Sequence, residues 1–155
     1  MRFFLLRHGD APFDSARGER ALSEQGARQI RRVLERHGDD LQPLDLILCS
    51  PVLRARQSLR VLTECLNYRG ELIFEDVLRS ESSVAAVERY VDRLRVTSLL
   101  LLSHQPLIGK MLDYLADESG LGWSMSTGTL ACLDGIAFGR GAGELQWLTH
   151  PEDCN

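Results

Sequence analysis

With 155 residues, 44% of them apolar, the chain can build one buried core and needs no second domain. Its 18 basic and 22 acidic side chains leave a formal charge of −4, which excludes the broad basic surface that nucleic acid or an anionic membrane would require. No run approaches the roughly 18 apolar residues of a membrane span and no signal-peptide pattern opens the chain, so a cytoplasmic protein is expected.

The first element is a short apolar strand, Phe3-Phe4-Leu5-Leu6, that ends abruptly in Arg7, His8 and Gly9. Residues 10–22 are polar, and LSEQGARQIRRVLERHG then sets Ala27, Ile30, Val33 and Leu34 on one helical face, with Ser23 as N-cap and Gly38 just past the end. LDLILCS (44–50) is a second strand. Ser50-Pro51 opens a helix carrying Leu59, Leu62 and Leu66 inward, which places Arg54 in its first turn. ELIF (71–74) predicts a strand, SVAAVERYVDRL (83–94) a helix with Val84, Val87, Val91 and Leu94 inward, and SLLLL (98–102) a buried strand with His104 just beyond it. PLIGKMLDYLAD (106–117) predicts a last helix, with Leu107, Ile108, Met111, Leu112 and Leu115 as its apolar side. TLACL and ELQWL, flanking a glycine-rich turn, predict an antiparallel hairpin. Of the cysteines, Cys49, Cys65 and Cys132 are expected as small core residues, and none forms a CxxC pair.

Strands alternating with helices, the strands being nearly continuous apolar runs, predict a three-layer α/β/α sandwich with a mostly parallel sheet and the C-terminal hairpin added to it. Residues 1–155 form one such domain, with no room for a large inserted cap. Ligands of these sheets bind beyond the carboxyl ends of the strands. Arg7, His8, Arg54 and His104 all fall there, bringing two guanidinium and two imidazole groups to one rim.

That set suits a phosphoryl group. Arginine forks match phosphate oxygens, the helix start at Arg54 adds partial positive charge, and a neutral imidazole can attack phosphorus and carry it covalently. Gly9 is expected to let a ligand approach the backbone. Taken singly, Arg54 reads as a surface charge, His37 as a cap on a helix C-terminus and His150 as a surface residue of the tail. A zinc site built from His8, Asp10 and His104 is disfavoured, because two arginines would oppose a dication and no metal-ligand spacing is present.

LLRHGDA, LSEQGARQI, CSPVLRARQS and LLSHQPLIG, in this order and spacing, closely resemble the histidine phosphatase superfamily (phosphoglycerate mutase-like), and within it the short SixA-type phosphohistidine phosphatases. The resemblance runs from Met1 to about Gly109, more weakly through STGTLACL. It implies a phosphatase with a phosphohistidine intermediate and no metal or other cofactor. His8 matches the nucleophile, while Arg7, Arg54 and a protonated His104 match the phosphate pocket, to which Gln105 is expected to lend its backbone N–H.

Many larger members of that family carry a cap and an acidic proton donor. SHQP lacks the histidine-aspartate pair of the acid-phosphatase branch, which leaves Asp10 and Glu81 as candidate donors, each also readable as a turn or surface residue. An uncapped rim can admit a phosphorylated side chain on another protein, so the expected partner is a phosphohistidine-bearing protein such as a histidine-phosphotransfer domain. The alternatives are a small-molecule phosphomonoesterase of the same superfamily and a non-catalytic module that binds phosphoproteins.

Overall fold

Six strands form one mixed sheet in the order β3-β2-β4-β1-β5-β6 among the residues that the computed structural model describes, 1–14, 16 and 18–154. They are β1 (Arg2–Arg7), β2 (Leu46–Cys49), β3 (Glu71–Phe74), β4 (Ser98–Ser103), β5 (Leu130–Gly135) and β6 (Gly143–Thr149). The first four run parallel, β5 pairs antiparallel with both β1 and β6, and so β5 alone opposes the common direction.

Each central strand splits its side chains between two faces, as the twofold alternation of a strand requires. Phe3, Leu5, Leu46, Leu48, Leu99 and Leu101 pack with α3 (Val84–Val91) and α4 (Leu107–Ala116). Phe4, Leu6, Ile47, Cys49, Leu100 and Leu102 pack with α1 (Glu24–His37) and α2 (Leu53–Leu66). Burial on both faces is the reason these strands read as unbroken apolar runs, and each fully buried Leu or Phe contributes about 1.5–3 kcal/mol. The result is the expected α/β/α sandwich with a mostly parallel sheet and an antiparallel C-terminal hairpin. No helix among the described residues is long and apolar enough to cross a membrane.

Several local expectations change. Ser23 and Gly38 bound α1 as expected, but beyond it the chain continues with right-handed angles at Gly38 into a 3-10 turn through Leu41. The helix expected over 83–94 ends at Val91, with Leu94 in the turn beyond it. Cys65 lies exposed on α2, whereas Cys49 and Cys132 are buried. His37 does more than face its helix end, since its ring stacks on Trp147 at 3.6 Å and Nε2 meets Thr149 Oγ1 at 2.8 Å. His150 is half-buried, with Nδ1 2.9 Å from Thr129 Oγ1, and is no free surface residue.

Register matters most for the site. Arg7 on β1 stands opposite Ser103 on β4, and Cys49 on β2 opposite Leu102. The residues after that first pair, His8 and His104, are therefore delivered to one level at the carboxyl edge, and Ser50, following Cys49, comes level with Ser103 one step before it. Two backbone bonds extend the ladder there, His8 N–H to Ser103 O at 3.1 Å and Ser50 N–H to Leu102 O at 3.0 Å.

Candidate active site

His8 leaves β1 almost completely buried, at 2% exposure. Its Nδ1 lies 2.7 Å from the carbonyl oxygen of Gly9, and Arg54 Nε approaches its Nε2 at 3.3 Å. A carbonyl only accepts and a guanidinium only donates. Both neighbours therefore demand the same tautomer, with the proton on Nδ1 and a lone pair on Nε2, directed at the guanidinium.

Position 9 carries a different meaning from the one expected. A Cβ built on Gly9 would stand 2.5 Å from the Gly26 carbonyl oxygen and 2.8 Å from Leu22 Cδ1, so glycine is needed for close packing on the first turn of α1. Ser58 ties the same backbone to α2, accepting from Gly9 N–H at 3.0 Å and donating to the Arg54 carbonyl at 2.8 Å.

Arg7 donates from one terminal nitrogen to the carbonyl oxygen of Met125 at 2.9 Å. Gln105 braces that carbonyl with its side chain, its Nε2 donating to Met125 O at 3.2 Å and Gly122 O at 2.8 Å while Oε1 accepts from Gly109 N–H. His104 is 1% exposed, with Nε2 2.7 Å from the Ser50 hydroxyl and its ring centre 5.0 Å from that of His8. Among the described residues, two buried side-chain nitrogens lack a partner, Arg7 Nε and His104 Nδ1. Both belong to this rim, and a buried polar group without a partner is costly. An anion rich in acceptors would satisfy them.

The electrostatics refine one expectation. Burial pushes the His8 pKa down to about 4, partly opposed by the hydrogen bond to Gly9 and reinforced by Arg54, Arg7 and Arg20. His104 is pushed down to about 3, again chiefly by burial, then by His8 and the guanidinium groups. Burial and three nearby cations thus push His104 toward the neutral form, whereas the imidazolium was expected around a bound phosphoryl group. Arg7 and Arg54 are lowered from their usual value, mainly by burial, and remain charged.

Arg20 is the residue that sequence reasoning passed over. It sits in the polar connection after β1, its Nε donates to the Ala11 carbonyl at 2.6 Å, and its charge is felt at Arg7, His8, Arg54 and His104. No periodicity marks such a position, and only the path of the loop brings it to the rim.

The two carboxylates stand apart in role. Asp10 accepts the Ser23 hydroxyl at 2.7 Å and the Ser23 N–H at its carbonyl, fastening the start of α1. Glu81 is exposed, accepts from Ser80 at 3.1 Å and supports the charge of Arg54 from that side of the rim. Among the described residues, no group of three or more His, Cys, Asp or Glu side chains is arranged to hold a metal ion.

A pH prediction follows from the depressed histidines. Because His8 titrates at about 4 when folded and about 6.5 when unfolded, the unfolded chain binds more protons between those values. Stability is then fully present above about pH 6.5 and declines as pH falls toward 4. An NMR titration of the free protein should place the His8 midpoint near 4, and denaturant unfolding should show lower stability at pH 4.5 than at pH 7. A His8 midpoint near 6.5 would show that burial and the guanidinium groups do not hold it neutral.

The family model of the histidine phosphatase superfamily (branch 1) matches residues 3–83. The phosphohistidine phosphatase SixA of Escherichia coli (strain K12) is 30% identical over 160 residues, covering 100% of this chain and 96% of that protein. A phosphohistidine phosphatase SixA homolog of Haemophilus influenzae is 29% identical over 126 residues, covering 74% of this chain and 77% of the relative. The solved structure of the protein histidine phosphatase SixA complexed with tungstate superposes with a TM-score of 0.82 at 28% identity, covering 99% of each chain.

Proposed function

Because the chain belongs to the histidine phosphatase superfamily and is a hydrolase of that family, we propose that it removes the phosphoryl group from a phosphohistidine on another protein, through a covalent phospho-His8 intermediate. The observation that carries this reading is the His8 imidazole, buried, neutral and held between the Gly9 carbonyl and the Arg54 guanidinium. In the first step His8 Nε2 forms a bond to phosphorus as the P–N bond of the substrate breaks, and the substrate ring, already protonated on its other nitrogen, leaves as neutral imidazole. The Gly9 carbonyl supports the positive charge that appears on the His8 ring. In the second step a water oxygen attacks phosphorus, the P–Nε2 bond breaks, and inorganic phosphate leaves with His8 neutral again. Arg7 and Arg54 hold the phosphoryl oxygens throughout, with the unpartnered His104 Nδ1 beside them.

Three features support a protein substrate. The relatives named above are phosphohistidine phosphatases. Two of the connections at the rim are short, residues 50–52 after β2 and 104–106 after β4, while the longer one after β1 spans 8–23. Asp10 is engaged as a helix fastener, which draws it away from protonating an alcohol leaving group. General acid catalysis is worth roughly a hundred- to ten-thousand-fold, and a protonated imidazole needs it least.

Turnover of a phosphohistidine protein, phosphoserine peptides and sugar phosphates, compared at one pH, is expected to give a kcat/KM at least about tenfold higher for the phosphohistidine protein. Asp10→Asn and Glu81→Gln should each change that value only modestly. Equal or better turnover of a sugar phosphate would replace this reading with that of a metabolite phosphatase.

A further inference from the structure

His104 enters the site by one nitrogen only. Its Nε2 faces the Ser50 hydroxyl at 2.7 Å, while Nδ1 is buried without a partner. Ser50 is itself fully buried at the end of β2, and its Oγ also lies 3.4 Å from Val52 N–H, which can only donate.

A hydroxyl has one proton and two lone pairs. If His104 carried its proton on Nε2, Ser50 Oγ would accept from both His104 and Val52, and no described group would accept the Ser50 proton. If the proton is on Nδ1, the Ser50 O–H donates to Nε2, Val52 occupies an acceptor position, and every hydrogen at Ser50 is used. That second arrangement also aims an N–H donor, not a lone pair, at an incoming phosphoryl oxygen.

We propose that Ser50 is a positioning residue that fixes His104 in the Nδ1–H tautomer, so that His104 meets the phosphoryl group as a neutral hydrogen-bond donor. Buried outer partners of this kind commonly set the tautomer of a working histidine. The proposal rests on the phosphoryl-binding part of the function above, and not on which leaving group the phosphoryl carries. It assigns Ser50 a duty that its place at a helix entrance, next to Pro51, does not require.

The test is nitrogen-15 NMR of the histidine side chains at pH 7, on the free protein and with orthovanadate as the anion, together with vanadate affinity. In wild type, His104 should show a protonated Nδ1 and an unprotonated Nε2. Ser50→Ala should shift population toward the Nε2–H form and weaken vanadate binding about tenfold, the order of loss seen when outer partners of site histidines are removed. Ser50→Thr, which keeps the hydroxyl, should restore both. A wild-type His104 protonated on Nε2 would overturn the proposal whether or not the alanine variant folds. So would a folded alanine variant with unchanged tautomer and vanadate affinity. Loss of phosphohistidine turnover with an intact Nδ1–H signal and vanadate binding would instead count against the phosphohistidine substrate alone.

Discussion

Replacing His8 by alanine should reduce phosphatase kcat by about 10⁶-fold, the scale on which loss of a covalent nucleophile is felt in enzymes whose catalytic groups act as a unit. In the proposed mechanism the imidazole supplies the attacking lone pair, and no neighbouring side chain is expected to inherit it. His104 is the nearest candidate, yet its Nε2 is occupied by Ser50. The variant should keep its fold, since the backbone N–H of residue 8 still binds Ser103 and the Gly9–Gly26 packing is untouched. Circular dichroism and denaturant unfolding check that point. Brief reaction of wild type with labelled phosphoprotein, followed by quenching in base, should leave acid-labile label on His8. Residual activity within tenfold of wild type would remove His8 from the role.

Arg54→Lys should lower kcat about a hundredfold, with a smaller change in KM, because the guanidinium acts most strongly as charge spreads over the phosphoryl oxygens. Lysine keeps the charge and almost the same helix propensity, so α2 should form as before. It loses the planar fork and the Nε–H that stands 3.3 Å from His8 Nε2. The carbonyl of residue 54 would still accept from Ser58, so the backbone link to Gly9 survives. Activity within twofold of wild type would show that charge alone suffices and that the fork is unused.

His8 and His104 were legible in the sequence because each sits where an apolar run stops, and Arg54 because a helix opens just after one. Phe3 to Leu6 and Leu99 to Leu102 are buried on both faces, so their ends are conspicuous, and the next polar residue is at the sheet edge by construction. The helices were legible from spacing, as in α4, where Leu107, Ile108, Met111, Leu112 and Leu115 are all fully buried. What stayed hidden depends on contacts distant in sequence. The insertion of β5 beside β1 is such a contact, and so is the Met125 carbonyl that steadies Arg7. Arg20 reaches the rim through an irregular loop. The neutrality of His104 follows from burial, which residue type alone does not reveal. The role of Gly9 turned on a second glycine, Gly26, whose own Cβ would run into the Asp10 carbonyl oxygen.

The parallel pairing of β1 with β4, in which Arg7 faces Ser103, makes the sheet a ruler for the chemistry. Adjacent strands lie about 4.8 Å apart, and the two imidazole centres are 5.0 Å apart, one backbone step beyond that pair. The register of β1 and β4 thus sets the two neighbouring backbone positions from which the imidazoles are presented. Two side chains more than ninety positions apart in the chain are thereby brought side by side by peptide hydrogen bonding between their strands.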